Sequence, residues 1–343
     1  MRPSFYPRTI NGPFDDPGVF IPFLFEKRAI IFDIGNIYAL SPGDMLKITH
    51  VFVSHTHMDH FVGFDRLLRV LMGREKELYL YGPEGFLKNV EGKLAGYSWN
   101  LVAHYTGDFV LHATEVRSDC LLSRRYICRN KFLPTEEPRE MPFSNVLHTE
   151  SSLSVSTAIL DHDIPCLGFS LGERFHVNIL KDRLDELGLE TGPWLKDFKQ
   201  ALFREDDPDT VFEIRCGREN VRKRQFALGE LAEKIATITP GQKVSYVTDV
   251  VYSKSNAEKI ISLSKDSDYL FIEAAFLDED RDMARQKYHL TARQAGTLAK
   301  AAGVRQIIPF HFSPRYTGMG HLLEAEAERA WKFDVPSSAL LST

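Results

Sequence analysis

The stretch Ser54-His55-Thr56-His57-Met58-Asp59-His60 places three histidines and one aspartate within six positions, directly after a short apolar run. Imidazole nitrogens and carboxylate oxygens are the usual ligands of zinc, and such a density of them suits two ions rather than one. Any single histidine here would read as ordinary loop polarity; the whole pattern does not. A carboxylate bridging two metal ions keeps both charges close and leaves a water or hydroxide shared between them. Such a pair activates the nucleophile and stabilises charge developing on a phosphoryl oxygen, which suits phosphodiester hydrolysis.

These residues need a platform, and the flanking sequence supplies one. Ile48-Thr49-His50-Val51-Phe52-Val53 is rich in β-branched and aromatic residues and reads as a buried strand. After the cluster, Phe61, Phe64, Leu67, Leu68 and Leu71 recur at helical spacing, so the ligands sit on a strand-to-helix turn. Upstream, residues 1–17 carry Pro3, Pro7, Pro13 and Pro17 and predict an irregular lead-in. Val19 to Phe25 and Ala29 to Phe32 read as strands, the second closed by Asp33-Ile34-Gly35-Asn36. Asp33 either orients a ligating histidine from behind or simply forms the turn.

Downstream, Glu77 to Tyr81 predicts a strand and Phe86 to Leu94 a helix. Residues 97–148 are less regular, with a strand-like Phe109 to Val116 among edge strands and long loops. Leu153 to Leu160 leads into Asp161-His162-Asp163, and a further strand runs through Cys166 to Ser170. Helical spacing between Ile179 and Phe203 is broken by Gly188 and Gly192-Pro193, which predicts two helices. The charged stretch Arg204 to Arg224 reads as a surface excursion or a substrate-facing arm. In the last third, Lys243 to Thr248 ends in Asp249, Tyr269 to Ile272 ends in Glu273, and Val304 to Phe310 ends in His311, while Thr291 caps a helix running to Ala302. Strands thus deliver His55, Asp249, Glu273 and His311 at their C-terminal edges, where α/β proteins gather their chemistry. The alternation predicts a layered α/β fold in a single domain over 1–343, with less regular insertions near 97–148 and 181–227.

Composition narrows the class. Apolar residues make up 43% and charged residues 26% of 343 residues, as in ordinary globular proteins. A net charge of -5 supplies no general attraction for nucleic acid, so any such binding must come from a local patch. Two basic runs qualify, Arg124-Arg125 with Arg129 and Lys131, and Arg215, Arg218, Arg222, Lys223 and Arg224; most such runs are solvated faces. Cys120, Cys128, Cys166 and Cys216 lack any paired ligand spacing, which argues for a reducing compartment and against a disulfide framework. No apolar stretch approaches the roughly twenty residues of a membrane span, so a cytoplasmic enzyme without membrane contact is expected.

The motifs carry a resemblance. His55 to His60, with Asp249 and His311 downstream, is similar to the metallo-β-lactamase superfamily, whose fold is a four-layered αββα sandwich of two similar halves. Phe271-Ile272-Glu273-Ala274-Ala275-Phe276, His289-Leu290-Thr291-Ala292 and His311-Phe312-Ser313-Pro314-Arg315-Tyr316 resemble the ribonuclease Z family, which trims the 3′ end of precursor transfer RNA. Asp161-His162-Asp163-Ile164-Pro165-Cys166 resembles that family's third histidine motif. The resemblance implies two zinc ions, with manganese or iron as substitutes. His55, His57 and His162 then bind one ion, Asp59, His60 and His311 the other, and Asp249 bridges. Each downstream residue has a structural alternative: His162 and His311 as hydrogen-bonded core histidines, Asp249 as a helix cap. A leaving ribose alkoxide must be protonated as its bond breaks, and His289 is the natural general acid, held by Glu273. Asp59 also orients or deprotonates the water attacking phosphorus. The alternative for His289 is a surface residue at a helix start. The resemblance further implies a homodimer.

Departures from the family pattern bear on substrate. Arg8-Thr9-Ile10-Asn11-Gly12-Pro13 replaces a glycine-rich opening, Gly63-Phe64-Asp65-Arg66 stands where glycine, leucine and proline are usual, and Ile272 where histidine is. Gly192-Pro193-Trp194 resembles the family's Gly-Pro segment, but no clear glycine- and proline-rich arm follows. The expected function is therefore an endonuclease cleaving the 3′ trailer of precursor transfer RNA by a two-zinc-activated hydroxide. The alternative is a hydrolase of a smaller phosphodiester or other ester using the same site. A non-catalytic nucleic-acid-binding module is the reading from another class; a positioned general acid and the negative net charge count against it.

Overall fold

The computed structural model describes residues 4–216 and 222–333, and within 4–333 gives no side-chain account of 215–222. The chain divides into two compact units, one of Phe5–Leu147, Ser156–Ser170 and Lys243–Thr343, the other of Met1–Ser4, His148–Val155 and Leu171–Gln242. The histidines and carboxylates singled out above all fall in the first.

That unit is built on two sheets. The first has eight strands in chain order, from Arg8–Thr9 to Arg139–Pro142. Its centre is parallel: Ala29–Phe32, Ile48–Phe52, Lys76–Pro83 and Phe109–Val116. Parallel strands are covered on both faces, which is why Ala29–Phe32 is apolar and buried throughout. The second sheet places Ile307–Phe310, Tyr269–Glu273 and Lys243–Val247 side by side in parallel, next to the strand that contains 165–170.

Side-chain alternation then builds the layers. Phe32 and Phe52 turn toward the second sheet, where they meet Phe169 at ring separations of 5.5 and 5.6 Å, and Phe32 also lies 5.8 Å from Tyr246. Ile31, Val51 and Leu80 turn the other way, into a core shared with the helices Phe64–Leu71 and Phe86–Ala95. On the far side Val247, Leu270 and Ile272 pack with Ile260, Leu298 and Leu323 of the helices Lys254–Ser264, Ala292–Ala301 and Gly320–Phe333. The result is the expected αββα sandwich. Thr291 caps the helix after it with a full capping box, its hydroxyl accepting from Gln294 N–H while Gln294 reaches back to its own amide.

The other unit has its own core of Leu184, Trp194, Phe198, Ile214, Leu231 and Ile235. The helices Lys181–Glu186 and Trp194–Phe203 flank the predicted break at Gly188 to Pro193. The charged excursion resolves into antiparallel strands Val211–Cys216 and Arg222–Ala227, with Phe212 opposite Phe226. Of its basic run, Lys223 pairs with Glu213 at 3.1 Å, and Arg224 donates to the Leu187 carbonyl; Arg218 lies outside the described residues.

Residues 97–148 are more regular than expected. Phe109–Val116 and Cys120–Ile127 are eight-residue strands of the first sheet, Phe109–Val116 carrying the parallel centre onward and Cys120–Ile127 continuing antiparallel. Arg124 of the first basic run is spent structurally, on Glu91 at 2.6 Å, and Arg129 lies 3.5 Å from Asp108.

Candidate metal centre

The strand Ile48–Phe52 delivers Ser54 and His55 at its C-terminal end, and Asp33 ends the neighbouring parallel strand beside them. Asp33 is fully buried and organises this edge. Its carboxylate accepts from Ser54 N–H at 2.6 Å, Ser54 hydroxyl at 2.7 Å and Tyr246 hydroxyl at 2.7 Å, and lies 2.8 Å from His60 Nδ1. With Nδ1–H given to Asp33, His60 turns Nε2 inward, the tautomer a metal ligand needs. Of the two sequence alternatives for Asp33, it is the orienting one that the geometry supports.

Two glycines allow the turn to close. A Cβ on Gly35 would collide with the Asp59 carbonyl, and one on Gly63 with the Gly35 carbonyl. The loops of Asp33 and of the histidine cluster can approach so closely only without side chains there.

Asp249 ends the strand Lys243–Val247 and stands at the middle of the constellation, 2% exposed. Its Oδ2 lies 3.4 Å from both His55 Nε2 and His60 Nε2 and 3.5 Å from His162 Nε2, and its Oδ1 lies 2.9 Å from His311 Nδ1. Thr248 hydroxyl donates to Oδ1 at 2.9 Å. His162 gives Nδ1–H to the Tyr288 carbonyl at 2.8 Å, which again fixes Nε2 as the inward atom. His311 Nε2 lies 3.4 Å from Asp59. Asp33, Asp163, Asp249, Tyr288 and His311 all hold positive φ values, between 46° and 63°. Strained backbone gathers around this one site, as it does where surrounding structure fixes functional groups.

The ligand atoms fall into overlapping groups. Those of His55, His57, His162 and Asp249 lie within 4.8 Å of one another, as do those of Asp59, His60 and His311. His55 Nε2, His60 Nε2 and His311 Nδ1 are buried with no well-aligned hydrogen bond. Buried polar atoms that lack a well-directed hydrogen bond are costly, and three of them gathered around the Asp249 carboxylate fit a bound cation. Burial holds His55 neutral, with its pKa pushed down to about 2, and lowers His57 as well; neutral imidazole is the ligating form. Burial would also depress His60, but Asp249 and Asp33 raise it to about 10. Asp249 itself, although buried, is held ionised by His311 and His60. A protonated imidazole here balances carboxylate charge that a divalent ion would balance instead. The residues fit a divalent metal.

A third group joins Asp249 to Glu273, His289 and His311. Glu273 is fully buried; its Oε1 accepts from Val250 N–H at 2.8 Å and Leu290 N–H at 3.2 Å, and its Oε2 lies 2.8 Å from His289 Nδ1. Burial lowers the His289 pKa and Glu273 more than restores it, so the net shift is upward. His289 Nε2 is left as the ring's other proton site, with the side chain 19% exposed at a cavity of about 490 Å³. His57, Asp59, His162, Lys287 and Ser313 also line it.

All nine sequence-predicted site residues therefore converge. Sequence reasoning missed Tyr246, whose buried strand position required a partner for its hydroxyl, and the backbone contact of Tyr288. It also missed the lead-in: Asn11 donates to the Asn36 carbonyl at 2.7 Å, and Pro13 accepts from Phe312 N–H at 2.7 Å, with Phe14 5.3 Å from the Phe312 ring. One short segment thus braces the chain beside Asp33 and beside His311.

This chain is similar to known proteins. Residues 211–312 match the family model described as a beta-lactamase superfamily domain. Ribonuclease Z of Deinococcus radiodurans is 30% identical over 268 residues, which cover 78% of this chain and 76% of that protein. The metallo-beta-lactamase fold protein YhfI from Bacillus subtilis superposes with a TM-score of 0.51 at 14% identity, covering 94% and 92% of the two chains. Human tRNase Z, short form, does so with a TM-score of 0.50 at 18% identity, covering 91% and 93%. These two likenesses establish the fold; the sequence match over most of both chains shows that this protein belongs to the ribonuclease Z family, on a metallo-β-lactamase fold.

Proposed function

We propose that this protein is a metal-dependent endoribonuclease that cleaves the 3′ trailer from precursor transfer RNA, with Asp249 joining two zinc subsites. One subsite is His55, His57 and His162, the other Asp59, His60 and His311. The observation that carries the reading is the Glu273–His289 pair at 2.8 Å beside the ligand cluster, because a metal-binding module has no use for a buried carboxylate that loads a proton onto a cavity-facing imidazole. Membership of the ribonuclease Z family supports the choice of RNA. Bound metal supplies Lewis-acid charge on the phosphoryl oxygens and lowers the pKa of water at the site.

The chain's own residues do the rest. His289 holds a proton on Nε2 for the departing ribose oxygen, while Glu273 fixes the ring and favours its charged form. Asp59 is 44% exposed at the cavity and stays ionised, its pKa held at about 2 by His311 and His60 against the effect of burial. It can orient an attacking water by accepting a hydrogen bond. Lys287 at the mouth offers a cation to a phosphate. Among the described residues no helix is long and apolar enough to cross a membrane, and the described thiols Cys120, Cys128 and Cys166 are free. Both agree with a cytoplasmic setting, and family membership with a homodimer.

The test offers purified protein a precursor transfer RNA and a bis-aryl phosphodiester in parallel, with the RNA product mapped at its 3′ end. Cleavage at the trailer junction is expected. An uncut precursor beside rapid turnover of the small diester would overturn the RNA assignment and favour the small-phosphodiester alternative.

A further inference from the structure

A second cavity, of about 710 Å³, lies on the other flank of the ligand loop, and the metal chemistry does not use it. Its walls come from the turn at Asn36–Tyr38, the helix Phe64–Leu71 and the segment Tyr97–Trp99. Two kinds of group meet there. The first is flat rings. Tyr38 is 72% exposed and Tyr97 46% exposed, too much aromatic surface to leave in water without a use. Trp99 is held rigidly, its Nε1–H donated to the Leu94 carbonyl at 2.8 Å and its ring edge-on to Phe132 at 4.9 Å.

The second is cations, with the carboxylates Asp16 and Asp65 nearby in the same lining. The Arg66 guanidinium lies 3.9 Å over the Tyr38 ring, and its buried Nε has no hydrogen-bond partner. Arg69 follows one helical turn later, on the same face and exposed. Among the described residues neither arginine has an ion pair; of the two carboxylates, Asp65 gives one oxygen to Lys93 at 3.1 Å and keeps the other buried without a hydrogen bond, and Asp16 accepts from Asn36 N–H at 3.0 Å. Stacking surfaces interleaved with free guanidinium groups are the recognition chemistry of single-stranded nucleic acid. The position fits as well. Val62 and Gly63 of this groove lie two and three residues after His60, and the helix Met58–Phe61 that carries His60 also carries exposed Met58, with exposed Val62 as its C-terminal cap.

We propose that this groove binds a single-stranded stretch of RNA, bases against Tyr38, Tyr97 and Trp99 and phosphates at Arg66 and Arg69, and that it guides the strand beyond the scissile bond. The guiding role rests on the ribonuclease reading above; the binding itself does not. Asp65-Arg66, one of this chain's departures from the family pattern, supplies one of the two cations.

Two measurements separate the claims. The first is fluorescence anisotropy of a labelled hexauridylate on the metal-loaded protein. Tyr38→Ala and Arg69→Ala should each weaken binding about tenfold, with Tyr38→Trp restoring it, since a stacked base is typically worth that much. Matched melting temperatures and metal content verify the fold of each variant. Unchanged binding in both alanine variants would overturn the proposal. So would unchanged binding together with a shift of Arg66→Glu from dimer to monomer in sedimentation, because the groove would then be a protein interface. The second compares kcat/KM for precursors with one-nucleotide and eight-nucleotide trailers. The wild type should prefer the longer trailer and Tyr38→Ala should lose that preference; a wild type indifferent to length removes the guiding role. A precursor left uncut by the wild type would instead sink the ribonuclease reading, leaving hexauridylate binding to decide the groove.

Discussion

The two ligand groups on either side of Asp249 are built differently. At His55 and His57 burial favours the neutral imidazole, and a backbone carbonyl orients His162 beside them. Around Asp59, His60 and His311 the carboxylates dominate, with Asp33 behind His60, Asp59 beside His311 and Glu273 3.7 Å from His311. Burial sets the protonation of His55 and His57 in the first group; in the second the carboxylates raise His60 and His311, and a bound cation would replace those protons. The difference teaches that metal affinity at the second subsite should depend on pH and on the supporting carboxylates, and at the first mainly on imidazole geometry.

The largest effect should come from removing what the subsites share. Asp249→Ala should lower metal content at both and reduce phosphodiester turnover by roughly three decades or more, the loss of several kcal/mol of charge stabilisation; elemental analysis beside a diester assay checks it. Retention of both metals would break the bridging assignment. Next, Asp33→Asn should weaken metal binding by about 10- to 100-fold, the usual consequence of losing a carboxylate behind a ligating histidine, and chelator titration should show the loss at one subsite only. Equal weakening at both would erase the contrast between them.

A smaller, pH-dependent change should follow Glu273→Gln. His289 donates a proton only while protonated, so activity on a poor leaving group is present below its pKa and lost as pH rises through it. Glu273 raises that pKa. The variant's alkaline limb should therefore move to lower pH in a kcat/KM profile, and an unmoved limb would detach Glu273 from His289. The smallest effect belongs to Tyr246→Phe, which removes one hydrogen bond to Asp33; about 1 kcal/mol of stability should be lost in denaturant unfolding, with both metals retained.

The same contrast governs what the sequence revealed. The cluster from His55 to His60 is local, so its ligand density is visible without a fold. Asp249, Glu273 and His311 were legible as the ends of apolar runs, because a parallel sheet places its strand ends along one edge. Tyr246, Tyr288 and the Asn11 to Phe14 brace were not, since their role lies in contacts across the sandwich that no spacing encodes. In the fold, Ile48 to Phe52 read correctly because both its faces are buried. Val211–Cys216 and Arg222–Ala227 did not: their charged residues masked the inward pattern of Phe212, Ile214 and Phe226.

The most direct test of the chemistry as a whole is the leaving-group dependence of His289→Ala, measured as kcat on a precursor RNA and on a bis-aryl phosphodiester at matched metal content. A general acid is worth roughly 10²- to 10⁴-fold where the departing oxygen needs its proton and little where it does not. The RNA reaction should therefore fall by about that factor while the aryl ester, whose phenolate leaves unaided, falls far less. Equal losses on the two substrates would contradict the proton-donating role of His289.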